Sequence, residues 1–367
     1  MAHIIQKVLL VLFMLTVLGA CSGDDSTTIN IEAPSNNGGD SGGGSSGGGD
    51  SSGGGSGDGE TPASCPEGTS EVSEGLCELP QTVSSDLTLS AGVSYLMSDR
   101  VTVGNGNGQL ETNNDGSLDD GSAVQAVTLT IEAGVQVFGK SGTFANLLIT
   151  RGSKLMAMGT AEAPIIFSSD DEGYEGSGEW GGLIIHGYAP HNECAEGGSY
   201  CDIDSEGESG FAGGYDPDDS SGVLRYVVVA EGGYEFSTGN EINGISLVGV
   251  GSGTEMDYIQ VHGNSDDGIE FYGGNVNVKH GVFTNNNDDS VDWDEGYQGN
   301  LQYIIVKQGA SKGEAFEMDT EGSSDGFLSK PTLANVTIIN DKVADRAKYS
   351  LNFKKRSGGF FHNTVVT

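Results

Sequence analysis

The sequence predicts an all-β protein whose main domain is a parallel β-helix, a solenoid with coils of about 22–25 residues. Three observations lead there. The first is composition: 61 of the 367 residues are glycine, 35% are hydrophobic, and beyond about residue 86 short runs of Val, Ile, Leu and Phe alternate with Gly, Asn and Asp clusters without any helical period. The second is a repeat. "MDYIQVHGNSDDGIEF" from Met256, "VKHGVFTNNNDDSVDW" from Val278 and "LQYIIVKQGASKGEAFEM" from Leu301 follow one another at steps of 22 and 23 residues, each with a strand, a polar turn and a second strand. The third is that the second strands align as columns: Ile245-Ser246-Leu247, Ile269-Glu270-Phe271, Val291-Asp292-Trp293, Phe316-Glu317-Met318 and Leu351-Asn352-Phe353. Period-two alternation turns the flanking apolar residues inward and the central one outward, and successive coils stack about 4.8 Å apart.

Taken from the N-terminus, "MAHIIQKVLLVLFMLTVLGAC" sets one lysine, Lys7, ahead of an apolar run from Val8 to Leu18 that is too short to span a bilayer. Small residues and a cysteine follow, so residues 1–20 read as a signal peptide. The ending "LGAC" resembles the lipobox of bacterial lipoproteins, which implies cleavage before Cys21, acylation of its thiol and a membrane anchor. Ser22, where an aspartate would retain the protein at the inner membrane, implies export to the outer membrane. Residues 21–64 are Gly, Ser, Asp and Asn with almost nothing to bury, a flexible tether that as a random coil holds the folded part about 35 Å from its anchor.

Four cysteines remain, grouped locally as Cys65 with Cys77 and Cys194 with Cys201. Neither pair has CxxC spacing and the compartment is oxidising, which favours two disulfides over a metal site. The first staples a small segment, 65–85, ahead of the β-helix at 86–367. A formal net charge of -37 excludes a nucleic-acid backbone as partner and favours cations or partners that carry them.

Stacking places Asp266 over Asp288, Asp267 over Asp289, and Glu270 over Asp292 over Glu317. Two like charges about 5 Å apart cost about 1 kcal/mol in water and about 3 kcal/mol near a protein surface. Lys312, read as the third-coil residue above Asp267 and Asp289, offers one compensation. Ca²⁺ offers the other, because clustered carboxylates and turn carbonyls are its ordinary ligands. The candidate metal set is Asp266, Asp267, Glu270, Asp288, Asp289, Asp292, Asp294 and Glu317, against the alternative of a merely solvated acidic face. No stretch matches the EF-hand loop or the nonapeptide repeat of calcium-binding β-rolls. In the first strands Ile259, Val261, Gly281, Phe283, Ile304 and Val306 point inward, and Tyr226, Tyr258, His280 and Tyr303 form an outward aromatic row. Such a row is a candidate carbohydrate platform or, alternatively, a set of rings stacked on one another to stabilise the coils.

The stretches "GEWGGLIIHGYAP" (178–190), "SGVLRYVVVAEGG" (221–233), "NEINGISLVGVGSGTEMDYIQVHGNSDDGIEFYGG" (240–274) and "DDSVDWDEGYQGNLQYIIVKQ" (288–308) resemble exported bacterial lipoproteins with a right-handed, pectin-lyase-like parallel β-helix. The resemblance covers most of residues 90–367; it implies the fold and is silent on biochemistry. Because pectin-lyase-like folds include polysaccharide lyases and hydrolases, an enzyme is the competing expectation, with Asp267, Asp289, Asp292 and Glu270 as its acid–base carboxylates. "NNNDDS" is similar to the Asp-Asp motif of polygalacturonases, but the Arg-x-Lys pair of that pattern is missing. There is no HExxH, and the six histidines lack metal-ligand spacing.

Residues 301–367 hold nine Lys and Arg against seven Asp and Glu, whereas residues 1–300 hold seven against forty-six. The apolar strand that ends the sequence carries no polar cap, so a covering partner or further chain is expected there. The functional expectation is an outer-membrane or cell-surface lipoprotein acting as a calcium-stabilised, non-enzymatic binding or scaffold module. Its expected partner is an extracellular polysaccharide or an outer-membrane receptor.

Overall fold

The computed structural model describes residues 64–367 apart from 112–115, 172, 195–197, 199, 205–206, 239, 310–312, 323–325 and 341–348. The signal peptide, Cys21, the tether and Lys312 lie outside the described residues.

Strands pair in parallel from coil to coil and lie on three faces. The third face is a nine-stranded sheet of short segments, among them Val101–Val103, Leu147–Ile149, Leu183–His186, Ile245–Val248, Ile269–Tyr272, Val291–Asp294, Phe316–Met318 and Leu351–Phe353. Fourteen further strands form one continuous sheet bent into two faces, and Ile203–Asp204 pairs antiparallel with Phe211–Ala212 as a separate two-stranded sheet. Lys154–Met158 pairs with the first half of Gly222–Ala230, and Ile165–Ser169 pairs with its second half. From there on, one residue makes the bend. Register jumps from Arg225↔Asp257 to Val227↔Ile259, leaving Tyr226 and Tyr258 unpaired at φ of 50° and 56°. His280, Tyr303, Asn335 and Asn363 repeat the left-handed corner in the coils that follow. A non-glycine residue pays about 1–2 kcal/mol for that conformation, so these corners need side-chain interactions in return.

The predicted triplets pair in the expected register: Ser246↔Glu270, Glu270↔Asp292, Asp292↔Glu317 and Glu317↔Asn352. Their flanking side chains fill the interior, where Phe271, Trp293, Phe316 and Met318 are buried. The first-strand residues Ile259, Val261, Phe283, Ile304 and Val306 meet them there. Stacking begins at Leu76–Glu78 and Thr82–Val83, inside the segment stapled by Cys65–Cys77. Cys194–Cys201 is also formed, in the long insertion after Leu183–His186.

Insertions cover the early part of the third face. Leu148 and Ile184, which point outward, are buried with Ile242 against Phe144. Two arginines fasten this layer. Arg151, fully buried, donates to the carbonyls of Gly106 (2.8 Å), Gly108 (2.6 Å) and Cys201 (3.0 Å) and to Asp202 Oδ1 (2.9 Å). Arg100 donates to Asn146 Oδ1 (3.0 Å) and Glu208 O (2.7 Å), with its guanidinium over the Phe144 ring. From Ile269 to Met318 the outward residues are acidic.

Candidate carboxylate and aromatic columns

Two acidic columns run side by side on the outside of the third face. The outer strand positions supply Ser246, Glu270, Asp292 and Glu317. The turn two residues before each strand supplies the second column, joined by backbone amides. The N–H of Asp267 donates to Asn243 Oδ1 (3.2 Å), that of Asp289 to Asp267 Oδ1 (2.8 Å), and that of Glu314 to Asp289 Oδ1. Glu314 therefore holds the third-coil place that the sequence reading gave to Lys312. The misplacement has a physical origin: Glu314 stands two residues before Phe316, as Asp289 does before Val291, and the turn ahead of it is longer. A rule that counted back from the paired strand would have found it.

Asp267, Glu270, Asp289 and Glu314 are buried, Asp266, Asp292 and Glu317 are half-buried, and Asp288 is exposed. Carboxylate oxygens come within 4.8 Å of one another in the groups Asp266/Asp267/Asp288, Asp267/Glu270/Asp292, Asp288/Asp289/Glu314 and Asp289/Asp292/Glu317. The structure thus brings together Asp266, Asp267, Glu270, Asp288, Asp289, Asp292 and Glu317 of the sequence-chosen carboxylates, and Asp294 accepts the amides of Glu295 and Glu321. Asn243 Nδ2 (2.6 Å) and the Tyr272 hydroxyl donate to Glu270, Lys354 pairs with Glu317, and Lys355 pairs with Asp319 (3.7 Å) and Glu321 (2.5 Å). The basic "KKR" near the C-terminus thus faces the upper end of the acidic face.

Asp292 Oδ1 is buried and has no hydrogen-bond partner among the described residues. Burial, with Asp267 and Asp289 close by, holds the Asp292 carboxyl well above the usual range. Burial, with Asp266, Glu270 and Asp289, does the same to Asp267. Burial pushes Asp294 up to about 7.

The aromatic row stacks ring on ring. Tyr226–Tyr258 centroids lie 4.3 Å apart at 7°, Tyr258–His280 4.3 Å at 14° and His280–Tyr303 5.0 Å at 5°. His280 Nδ1 meets Asp257 Oδ1 at 2.7 Å. The row continues as amides, with Asn363 Nδ2 donating to Asn335 Oδ1 (2.6 Å). Tyr258 and His280 each have both ring faces turned to neighbouring rings, whereas Tyr226 and Tyr303 each turn one.

A third acidic group was not singled out as a site from the sequence. Ser169 Oγ lies within hydrogen-bond distance of Asp171 Oδ1 (2.8 Å), Glu179 Oε2 (2.5 Å) and Glu231 Oε2 (3.3 Å). Burial, and then the Glu179 charge, push Glu231 up to about 7. Ser169, Asp171 and Glu179 share the acidic stretch "SSDDEGYEGSGEW" (168–180), but Glu231 joins from the next coil, a pairing no local motif carries.

A family model described as a pectate-lyase-like β-helix domain matches residues 82–367. No curated protein and no solved structure matches the chain.

Proposed function

The chain belongs to the pectate-lyase-like β-helix family, and from that premise we propose that it is an exported lipoprotein, anchored through Cys21, whose third face holds Ca²⁺ and through it binds an acidic extracellular polysaccharide. The observation that carries this reading is the crowding of carboxylate oxygens along the columns, where those of Asp267, Glu270 and Asp292, and those of Asp289, Asp292 and Glu317, lie within 4.8 Å of one another. Glu270, Asp292 and Glu317 succeed one another, Lys354 pairs with Glu317, and Asp292 Oδ1 has no hydrogen-bond partner among the described residues. Asp267, Glu270, Asp289, Asp292 and Glu317 would hold the ion; a hard divalent cation accepts six to eight oxygens and favours the ionised form of each carboxylate it touches. Without a cation the same face repels a uronate polymer; with one, it can share the ion's remaining positions with the polymer's carboxylates.

Binding without turnover is supported by how the would-be acid–base groups are engaged. Asp267 and Asp289 accept backbone amides of the next coil, and Glu270 accepts from Asn243 and Tyr272, so one oxygen of each is tied to the stack. Calorimetric titration with polygalacturonate tests the proposal: binding is expected with Ca²⁺ and lost with chelator. Release of unsaturated or reducing ends, abolished by Asp289→Asn, would replace binding by catalysis. Retention of Cys21→Ser in the membrane fraction would remove the anchor.

A further inference from the structure

Residues 188–193, which follow the third-face strand Leu183–His186, run along the axis of the β-helix instead of around it. The Ala189 amide donates to Gly249 O (2.7 Å), the Gly274 amide to Pro190 O (2.8 Å), and the Asn192 amide to Glu295 O (3.0 Å). Asn192 Nδ2 donates to Glu321 O (2.7 Å). These contacts fall just after four successive third-face strands, Ile245–Val248, Ile269–Tyr272, Val291–Asp294 and Phe316–Met318. His191 Nδ1 accepts the Glu193 amide, so Nε2 carries the proton and donates to the Glu295 carboxylate. The fit is close: a Cβ on Gly326 would lie 2.2 Å from Asn192 O, and one on Gly273 would lie 2.9 Å from His191 Cδ2. Behind the segment, the Cys194–Cys201 disulfide ties its end to a residue whose carbonyl is held by buried Arg151.

A solenoid is quasi-one-dimensional: each coil touches its neighbours, and stability is a sum of coil and nearest-neighbour terms. Local opening therefore starts at the weakest junction. Here the weak junctions lie among the coils from Ile269 to Met318, where carboxylates stack. A segment bonded to four coils at once adds a coupling that nearest neighbours cannot supply. We propose that residues 188–193 are an axial latch. Docked, they make the acid-bearing coils open and close as one unit; released, they let those coils open one at a time and bare the carboxylate columns to solvent. The latch is independent of any bound cation.

Native-state hydrogen exchange on the full chain in chelator tests it, with Gly326→Ala as the variant. Gly326 lies outside the left-handed region, so the added methyl tests only the space taken by Asn192. Amides of Ile269–Tyr272, Val291–Asp294 and Phe316–Met318 are expected to exchange roughly tenfold faster or more, while those of Leu147–Ile149 and Ile165–Ser169 keep their rates. Unchanged exchange in the acidic coils, or equal acceleration in both regions, would overturn the latch. If Gly326→Ala does not fold, Asn192→Ala, which adds no atoms and deletes the contact to Glu321, is read against the same two outcomes.

Discussion

The corner row and the acidic columns are two products of one repeat. Each contributes one side chain per coil, yet they meet the same stacking distance with opposite energetics. At the corner, Tyr226, Tyr258, His280 and Tyr303 gain from lying 4.3–5.0 Å apart, and that gain offsets the left-handed backbone on which they stand. On the third face, Asp267 over Asp289 and Glu270 over Asp292 lose by it, and burial deepens the loss. A β-helix thus rewards repetition of rings and amides and penalises repetition of charge. Where charge is repeated, an outside partner is the economical remedy: Lys354 serves Glu317, and a cation would serve Asp292.

The largest expected effect breaks the comparison by supplying that partner. At a Ca²⁺ concentration 100 times its dissociation constant, the domain should gain about 2.7 kcal/mol over the chelated protein, read as a rise in Tm. Asp292→Asn should lose most of that gain while melting near wild type in chelator, because its carboxyl is already held toward the neutral form. Equal Ca²⁺ shifts in both proteins would place the ion elsewhere.

On the other side of the comparison, Tyr258→Ala removes two ring contacts at about 0.5–1.5 kcal/mol each and should cost about 2 kcal/mol with or without Ca²⁺. Tyr258→Gly should cost about 1 kcal/mol less than Ala relative to its lost rings, since glycine accepts φ of 56° without strain. Denaturant melts of the pair separate stacking from backbone; a glycine variant less stable than alanine would show that the corner carries no strain.

Titration gives a smaller, graded effect. Asp294 and Glu231 are pushed up to about 7 in the folded protein, so the native state holds their protons more tightly than the unfolded chain does. In chelator, stability should therefore fall as pH rises from about 4 towards 7, by at most about 1.4 kcal/mol per pH unit for each group. Tm against pH reads the slope, and a rise over that window would reverse the assignment. Least of all, Lys354→Met should cost about 0.5 kcal/mol, because this ion pair is partly exposed, and the cost should shrink in high salt.

Legibility followed the same division. The register of Glu270, Asp292 and Glu317 could be read because apolar neighbours two apart must both face the interior, and one residue of slip would expose them. The outward place of Tyr258 and His280 was legible for the same reason; their left-handed φ was not, since Tyr and His carry no backbone signal of the kind glycine does. Glu314 was missed because turn length differs between coils, and Glu231 because its partners Ser169 and Glu179 belong to a different coil.

By itself the sequence determined what depends on local periodicity: an all-β chain, parallel coils, the strand columns and the cysteine pairs that close as disulfides. The tertiary structure alone decided which charges are buried, which amides they accept, and that residues 188–193 turn from the coil path to run across four coils. Those outcomes hang on contacts between segments separated by anything from 22 to more than 100 residues, as Asp267 is from the Asp289 amide and Asn192 from Glu321. At such separations a residue's surroundings are set by how insertions and coils pack together, and no pattern along the chain encodes that.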